Sequence, residues 1–298
     1  MIKAFKSEGL VKTYPGFQLG PLDLELEPGV VMGYIGPNGS GKTTTIHCLL
    51  NLLKREEGEI SIFGEKVNNK NIEWKYNVGY VGDIHVFYEK WSGKKNLKFL
   101  SQFFPNWSDK YALELANRFD IDLNKKAIDL STGNRAKLAL IAVLARNPKL
   151  LVLDEPIFNL DVAVRSEVLD VLFEFMKSGE NSIFYSTHNI LDISRLVDKL
   201  VFIDNGTVHT EVYKDDLLSK WRRISFQMTN TVEFEPLVLD HRNEGKEHQV
   251  VSPDYEVTLR QLNSLGAENI EQYSMNLEEI ARHIIKGDKN VDYSESRV

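Results

Sequence analysis

Cysteine is nearly absent from this chain: Cys48 is its only one. A lone thiol excludes an intramolecular disulfide and any zinc cluster built on cysteines. It sits in the apolar helical stretch Ile46-His47-Cys48-Leu49-Leu50, where a small core residue is expected. Long apolar runs are missing as well. The richest, residues 138–145, falls far short of the ~20 needed to cross a bilayer, and Met1-Ile2-Lys3-Ala4-Phe5-Lys6 holds no apolar signal core. There is no basic excess: 36 Lys and Arg against 43 Asp and Glu leave a net charge of −7. That balance argues against a chain that coats nucleic acid or an anionic membrane, so no nucleic-acid partner is expected. Internal repeats and low-complexity tracts are also lacking. Composition alone therefore predicts a soluble, cytosolic protein, and at ~150 residues per domain its 298 residues suggest about two domains. With 42% apolar residues the core is large enough to need neither disulfides nor structural metals.

What is present is an alternation of short β-type runs with amphipathic helical stretches, which predicts an α/β fold. Buried strands are expected at 30–35 and 150–153, with further strands at 59–63, 78–81 and 182–186. Helices are expected at 42–53, 135–146 and 162–176, and within the helical stretch 92–147 Ser92 and Ser108 are candidate N-caps. Asn205-Gly206 between the runs 200–204 and 207–212 signals a two-residue hairpin. The character changes after about Lys220. Residues 224–228 alternate as a strand, 241–247 read as a polar turn, and 254–265 and 277–285 read as helices, the second capped by Asn276. Together they suggest a second, small α/β module, followed by a disordered tail at 287–298.

Chemistry enters at Gly36-Pro37-Asn38-Gly39-Ser40-Gly41-Lys42-Thr43, which fits G-x-x-x-x-G-K-[ST] between a buried strand and a helix. Glycines let successive backbone N–H groups turn inward around phosphate oxygens. The helix N-terminus adds partial positive charge. Lys42 is expected to reach the β- and γ-phosphates, and the Thr43 hydroxyl to bind Mg²⁺. Such a loop needs an acid at the end of a neighbouring strand. Leu151-Val152-Leu153-Asp154 supplies it, and Glu155 then stands where a carboxylate polarises the water that attacks the γ-phosphate.

These residues alone fit many phosphate-transferring proteins. Leu130-Ser131-Thr132-Gly133-Asn134, just before the helix that runs into the Asp154 strand, narrows the choice. With it the chain resembles the nucleotide-binding subunit of ABC transporters over roughly residues 2–213, with the family's elements in the family's order. The resemblance implies an α/β P-loop fold of ABC type: a mixed sheet core, an antiparallel β subdomain, and a helical subdomain at about 90–147. It implies an ATP-binding domain over 1–215 and leaves 220–286 as a C-terminal α/β module. ATP and Mg²⁺ are the implied ligands. Tyr14 takes the place of the family's adenine-stacking aromatic. Phosphate contacts extend over Asn38, Gly39, Ser40, Gly41, Lys42, Thr43 and Thr44. Ser131, Thr132, Gly133 and Asn134 match the signature loop, which in this family contacts the ATP of the opposite subunit. Asn159-Leu160-Asp161 resembles the D-loop, with Asp161 at the interface. His188 matches the switch histidine at the γ-phosphate, so the implied catalytic set is Glu155, His188 and Lys42.

The departures are specific. Gly82-Asp83 stands where the family has a glutamine; Asp83 is a candidate Mg²⁺ contact through water. Thr132 replaces a glycine, Asn134 a glutamine, and Ile157 a common threonine. The first two are similar to exporter ATPases of the ABC-2 kind, as is a short C-terminal module. The resemblance implies two partners: a separate transmembrane permease and a second ATP-binding subunit, in a homodimer or heterodimer. It implies a cytoplasmic protein held on the inner face of the membrane through that permease. Phe87, Tyr88, Trp91, Phe99, Phe103, Phe104 and Trp107 are divided between the core of the helical subdomain and a groove for the permease. A soluble ABC ATPase outside transport, and a low-turnover regulatory or immunity subunit, stay open as alternatives.

Overall fold

A computed structural model describes residues 2–82, 87–157, 160–228 and 238–286. They fall into two units: residues 1–188 with 203–208, and residues 189–202 with 209–298.

The first unit opens with β1 (Phe5–Tyr14) and β2 (Phe17–Leu26), then β3 (Val31–Ile35), α1 (Lys42–Leu49), β4 (Glu57–Ile62), β5 (Glu65–Lys66) and β6 (Val78–Val81). It continues with α2 (Gly93–Ser101), α3 (Asp109–Arg118), α4 (Thr132–Leu144), β7 (Leu150–Asp154), α5 (Val162–Met176) and β8 (Ser182–Thr187). β2, β1, β4 and β5 form one antiparallel sheet in that order. β3, β8, β7 and β6 lie side by side as a parallel sheet. All residues of β3, β7 and β8 are buried, as expected of parallel strands covered on both faces. Phe184 packs between Phe5 and Tyr34, with ring centroids at 5.4 and 5.1 Å.

The helix starts follow the sequence. Ser92 and Ser108 cap α2 and α3, their hydroxyls accepting from the N–H groups of Lys95 (3.2 Å) and Tyr111 (3.1 Å). Cys48 is buried in the core, as expected, and burial pushes its thiol up to about 11. The reading of α1 needs correction. α1 ends at Leu49 rather than continuing to residue 53, because Asn51 adopts a left-handed φ of 53° that stops the helix. The aromatic run splits: Tyr88 stacks on Trp91 at 4.3 Å and meets the edge of Phe99, while Phe104 lies under the Arg146 guanidinium at 3.6 Å. Tyr88 and Phe103 remain more than half exposed, at 52% and 56%.

The remaining elements are β9 (Lys199–Asp204), β10 (Thr207–Tyr213), α6 (Lys214–Lys220), β11 (Arg222–Gln227), β12 (Asp240–Glu244), β13 (Glu247–Ser252), α7 (Tyr255–Ser264), β14 (Glu268–Ser274) and α8 (Leu277–Lys286). β9 and β10 flank Asn205-Gly206, both at positive φ, as the dipeptide predicts. In the second unit an antiparallel sheet runs β12-β13-β11-β14. Ile224, Phe226, Val250 and Leu262 form its core with α7. Residues 241–247 are not a polar turn. They form most of the β12–β13 hairpin, and only Gly245 and Lys246 turn. Asn276 caps α8 reciprocally with Glu279: the Glu279 N–H donates to the Asn276 side chain at 2.9 Å, and the Asn276 N–H donates to the Glu279 carboxylate at 3.0 Å.

Gly206 ties the hairpin to the phosphate loop. Its N–H donates to the Ser40 carbonyl at 2.9 Å, and its carbonyl accepts from Gly20 N–H at 2.8 Å. Its φ is 79°, and a Cβ there would lie 2.0 Å from the Gln18 carbonyl oxygen. Gly206→Ala is therefore expected to destabilise the chain by about 1–3 kcal/mol. Gly16→Ala, with a φ of 83° but open space around it, is expected to cost less. Thermal unfolding of the two variants measures the difference.

Candidate active site

The chain ends of three parallel strands converge. The phosphate loop follows β3, Asp154 and Glu155 end β7, and His188 follows β8. Register explains the meeting: Ile35 lies opposite Thr187, and Asp154 opposite Ser186. Ligands in parallel α/β sheets bind beyond these carboxyl ends. A cavity of about 520 Å³ opens here, lined by Tyr14, Asn38, Gly39, Gly41, Lys42, Thr43, Thr44, Asp154, Glu155 and His188. Phe17, at the start of β2, joins them without any signal in the sequence. Ser40 is not among the lining residues. It is buried behind the loop, its hydroxyl has no hydrogen-bond partner among the described residues, and it sits 2.6 Å from where a Cβ on Gly36 would lie.

Inside the cavity a chain of charge links three predicted residues. The buried Lys42 ammonium donates to the carbonyls of Gly36 (2.8 Å) and Pro37 (3.2 Å) and faces Glu155 Oε1 at 3.3 Å. His188 Nδ1 contacts both Glu155 oxygens, at 3.0 and 2.9 Å. A carboxylate only accepts, so Nδ1 carries the proton. Glu155 has a φ of 50°, a left-handed conformation that a non-glycine residue adopts only when its surroundings impose it. Its N–H is held by the Ser186 carbonyl at 3.1 Å. The Asp154 carboxylate is almost fully buried and accepts from the Ser186 hydroxyl. Tyr14 is 40% exposed at the cavity rim, with the Lys12 ammonium 5.3 Å from its ring centroid. Glu56 holds Lys12 at 2.6 Å and the Thr13 N–H at 2.8 Å.

The site's donors suit a hard divalent cation. Thr43 and Asp154 offer oxygen only, and no group of three or more His, Cys, Asp or Glu that could hold a metal exists among the described residues. Mg²⁺ is commonly held this way, by one or two protein oxygens plus phosphates and water. Asp83 and Asn159 lie outside the described residues.

The signature residues are not brought to this cavity. Ser131 caps α4, its hydroxyl accepting from Asn134 N–H at 3.3 Å. Ser131 and Thr132 are exposed, and Asn134 lines a different concavity with Asn117, Asp120 and Lys125. Nothing among the described residues requires glycine at Gly133: a Cβ there would meet Leu160 and Val164 only at 3.8 and 3.9 Å. Asp161 caps α5, accepting from Val164 N–H at 2.9 Å.

Comparison with known proteins finds similar chains. The family described as ABC transporter matches residues 19–158. The ABC transporter ATP-binding protein YtrB of Bacillus subtilis is 30% identical over 224 residues, covering 75% of this chain and 76% of that protein. The bacitracin transport ATP-binding protein BcrA of Bacillus licheniformis is 30% identical over 77% of this chain and 76% of its own length. A solved ATP-binding subunit of an ABC transporter superposes with a TM-score of 0.66 at 24% identity, covering 72% of this chain and 92% of that one; this likeness is one of fold.

Lys42→Ala removes the buried charge on which both the loop carbonyls and Glu155 converge. Nucleotide affinity is expected to fall roughly tenfold or more, as hydrogen bonds to charged groups imply. Titration with a fluorescent ATP analogue measures it.

Proposed function

The chain belongs to the family of ABC transporter ATP-binding proteins, and from that premise we propose that it powers an exporter through ATP-driven, head-to-tail pairing of two such subunits. The coarser statement needs no proposal: it is an ATP-hydrolysing, ATP-binding subunit of a transporter. The observation that carries the finer one is the separation of its two predicted phosphate-binding surfaces. Lys42 lines the cavity, whereas Ser131 and Gly133 stand apart from it on an exposed helix start. A helix N-terminus with a serine cap and a sterically unneeded glycine suits a phosphate that arrives from outside the chain. A second copy, or a related subunit, supplies that phosphate in its own cavity.

In this reading Tyr14 stacks on adenine, and the loop Asn38, Gly39, Ser40, Gly41 with Thr44 cradles the phosphates. Lys42 exchanges its partners in the loop and Glu155 for β- and γ-phosphate oxygens. Glu155, released from the ammonium but still beside His188, accepts a proton from the attacking water. His188 then stands at the γ-phosphate. Thr43 and Asp154 would hold Mg²⁺, which neutralises phosphate charge. Asp161 and the signature loop meet the partner.

A separate permease completes the transporter. No helix among the described residues is long and apolar enough to cross a membrane, and the half-exposed Tyr88 and Phe103 suit an anchoring groove. We assign residues 1–215 to the ATPase and 220–286 to the C-terminal module. The protein works at the cytoplasmic face, and the bacitracin-transport relative supports an antibiotic or amphipathic peptide as cargo.

Glu155→Gln keeps the shape of the side chain but removes the base. Its ATP turnover should fall by about 10²–10⁴, while ATP with Mg²⁺ should convert it from monomer to dimer in light scattering. A variant that binds ATP and stays monomeric at every concentration would refute the pairing.

A further inference from the structure

Asp154 owes its position to a residue outside all the motifs described above. Ser186 lies on β8 directly opposite Asp154 in the parallel register. Both are buried, at 0% and 2% exposed. The Ser186 hydroxyl donates its single proton to Asp154 Oδ1, and the Ser186 carbonyl accepts from Glu155 N–H at 3.1 Å. One residue thus holds the first acid through its side chain and the second through its backbone.

A carboxylate removed from water needs hydrogen-bond donors, and a hydroxyl bonded to a carboxylate is a strong, geometrically defined partner. With Oδ1 committed to Ser186, the carboxylate is no longer free to rotate about its Cβ–Cγ bond. Its second oxygen remains for the cavity that Asp154 lines. Ser186 itself does not line that cavity, so it has no direct route to a nucleotide.

We propose that Ser186 is a positioning residue for the divalent cation: it orients the Asp154 carboxylate and so sets how strongly Mg²⁺ tightens nucleotide binding. This rests on the reading of Asp154 as a Mg²⁺ ligand. Alternation along β8 explains why no motif marks Ser186. It is two residues before His188, and only the pairing of β7 with β8 brings its hydroxyl to Asp154.

The test uses the full chain and N-methylanthraniloyl-ADP, which avoids turnover and ATP-driven pairing. Affinity is measured with and without Mg²⁺ for the wild type, Ser186→Ala, Ser186→Thr and Asp154→Asn. Ser186→Ala is expected to reduce the Mg²⁺-dependent gain in affinity by about tenfold while leaving the metal-free affinity unchanged. Ser186→Thr keeps the hydroxyl on a residue suited to a strand and should restore the gain. Unfolding temperatures check that each variant is folded. If Asp154→Asn abolishes the gain but Ser186→Ala retains it, the proposal is overturned and the cation reading survives. Metal-free affinity that drops as far as the affinity with Mg²⁺ also overturns it, since Ser186 would then be a packing residue. If Asp154→Asn keeps the full gain, the cation reading itself is wrong and the proposal falls with it.

Discussion

The parallel register of β3, β8 and β7 is the constraint from which the active site follows. Ile35 opposite Thr187 and Asp154 opposite Ser186 make three strands end at one level. The loop after β3, the acids that close β7 and the histidine after β8 therefore share one cavity. A slip of one residue in a strand would exchange its two faces and carry Asp154 away from the Ser186 hydroxyl. The continuous burial of these strands holds the register, because each is packed on both sides. One locally strained residue, Glu155, lies at the same edge. Glu155 keeps a left-handed backbone because Ser186 fixes its N–H while Lys42 and His188 hold its carboxylate.

In the proposed reading that chain of charge gives the site a built-in exchange. Lys42 cannot serve the loop carbonyls, Glu155 and a triphosphate all at once. Phosphate binding would redistribute its hydrogen bonds and leave the Glu155 carboxylate beside His188. Activation of Glu155 as the proposed base would thereby be tied to arrival of the phosphates. The second half of the proposed machine lies elsewhere on the same chain, at the starts of α4 and α5, which Ser131 and Asp161 respectively cap. In the proposed reading the helix N-terminus behind Ser131 is the end that would receive a phosphate from a second subunit.

Much of this was legible in the sequence, for identifiable reasons. Lys42, Thr43, Asp154 and Glu155 announce themselves because their spacing is local and their strands are uninterrupted apolar runs. The start of Val162–Met176 is legible because Asp161 is a residue type that caps helices. Other features depended on distant partners. The extra turn expected of α1 failed at Asn51, whose left-handed backbone no periodicity marks. β12 and β14 were missed because Asp240–Glu244 and Glu268–Ser274 are polar edge strands of a sheet with one solvated face. In β14 it is Ile270 that packs against the core. Ser186 meets Asp154 only through the pairing of β7 with β8, which no linear spacing encodes.

The central claim is that the Lys42 cavity of one subunit is completed by the Ser131 loop of another. The most direct test mixes two variants, Lys42→Ala and Ser131→Arg, each inactive as a homodimer. In a mixed dimer one composite site combines the intact cavity of the second with the intact loop of the first. The account requires ATPase activity to reappear on mixing, at a level that depends on the ratio of the two variants. A mixture as inactive as its components, or Ser131→Arg active by itself, would contradict it.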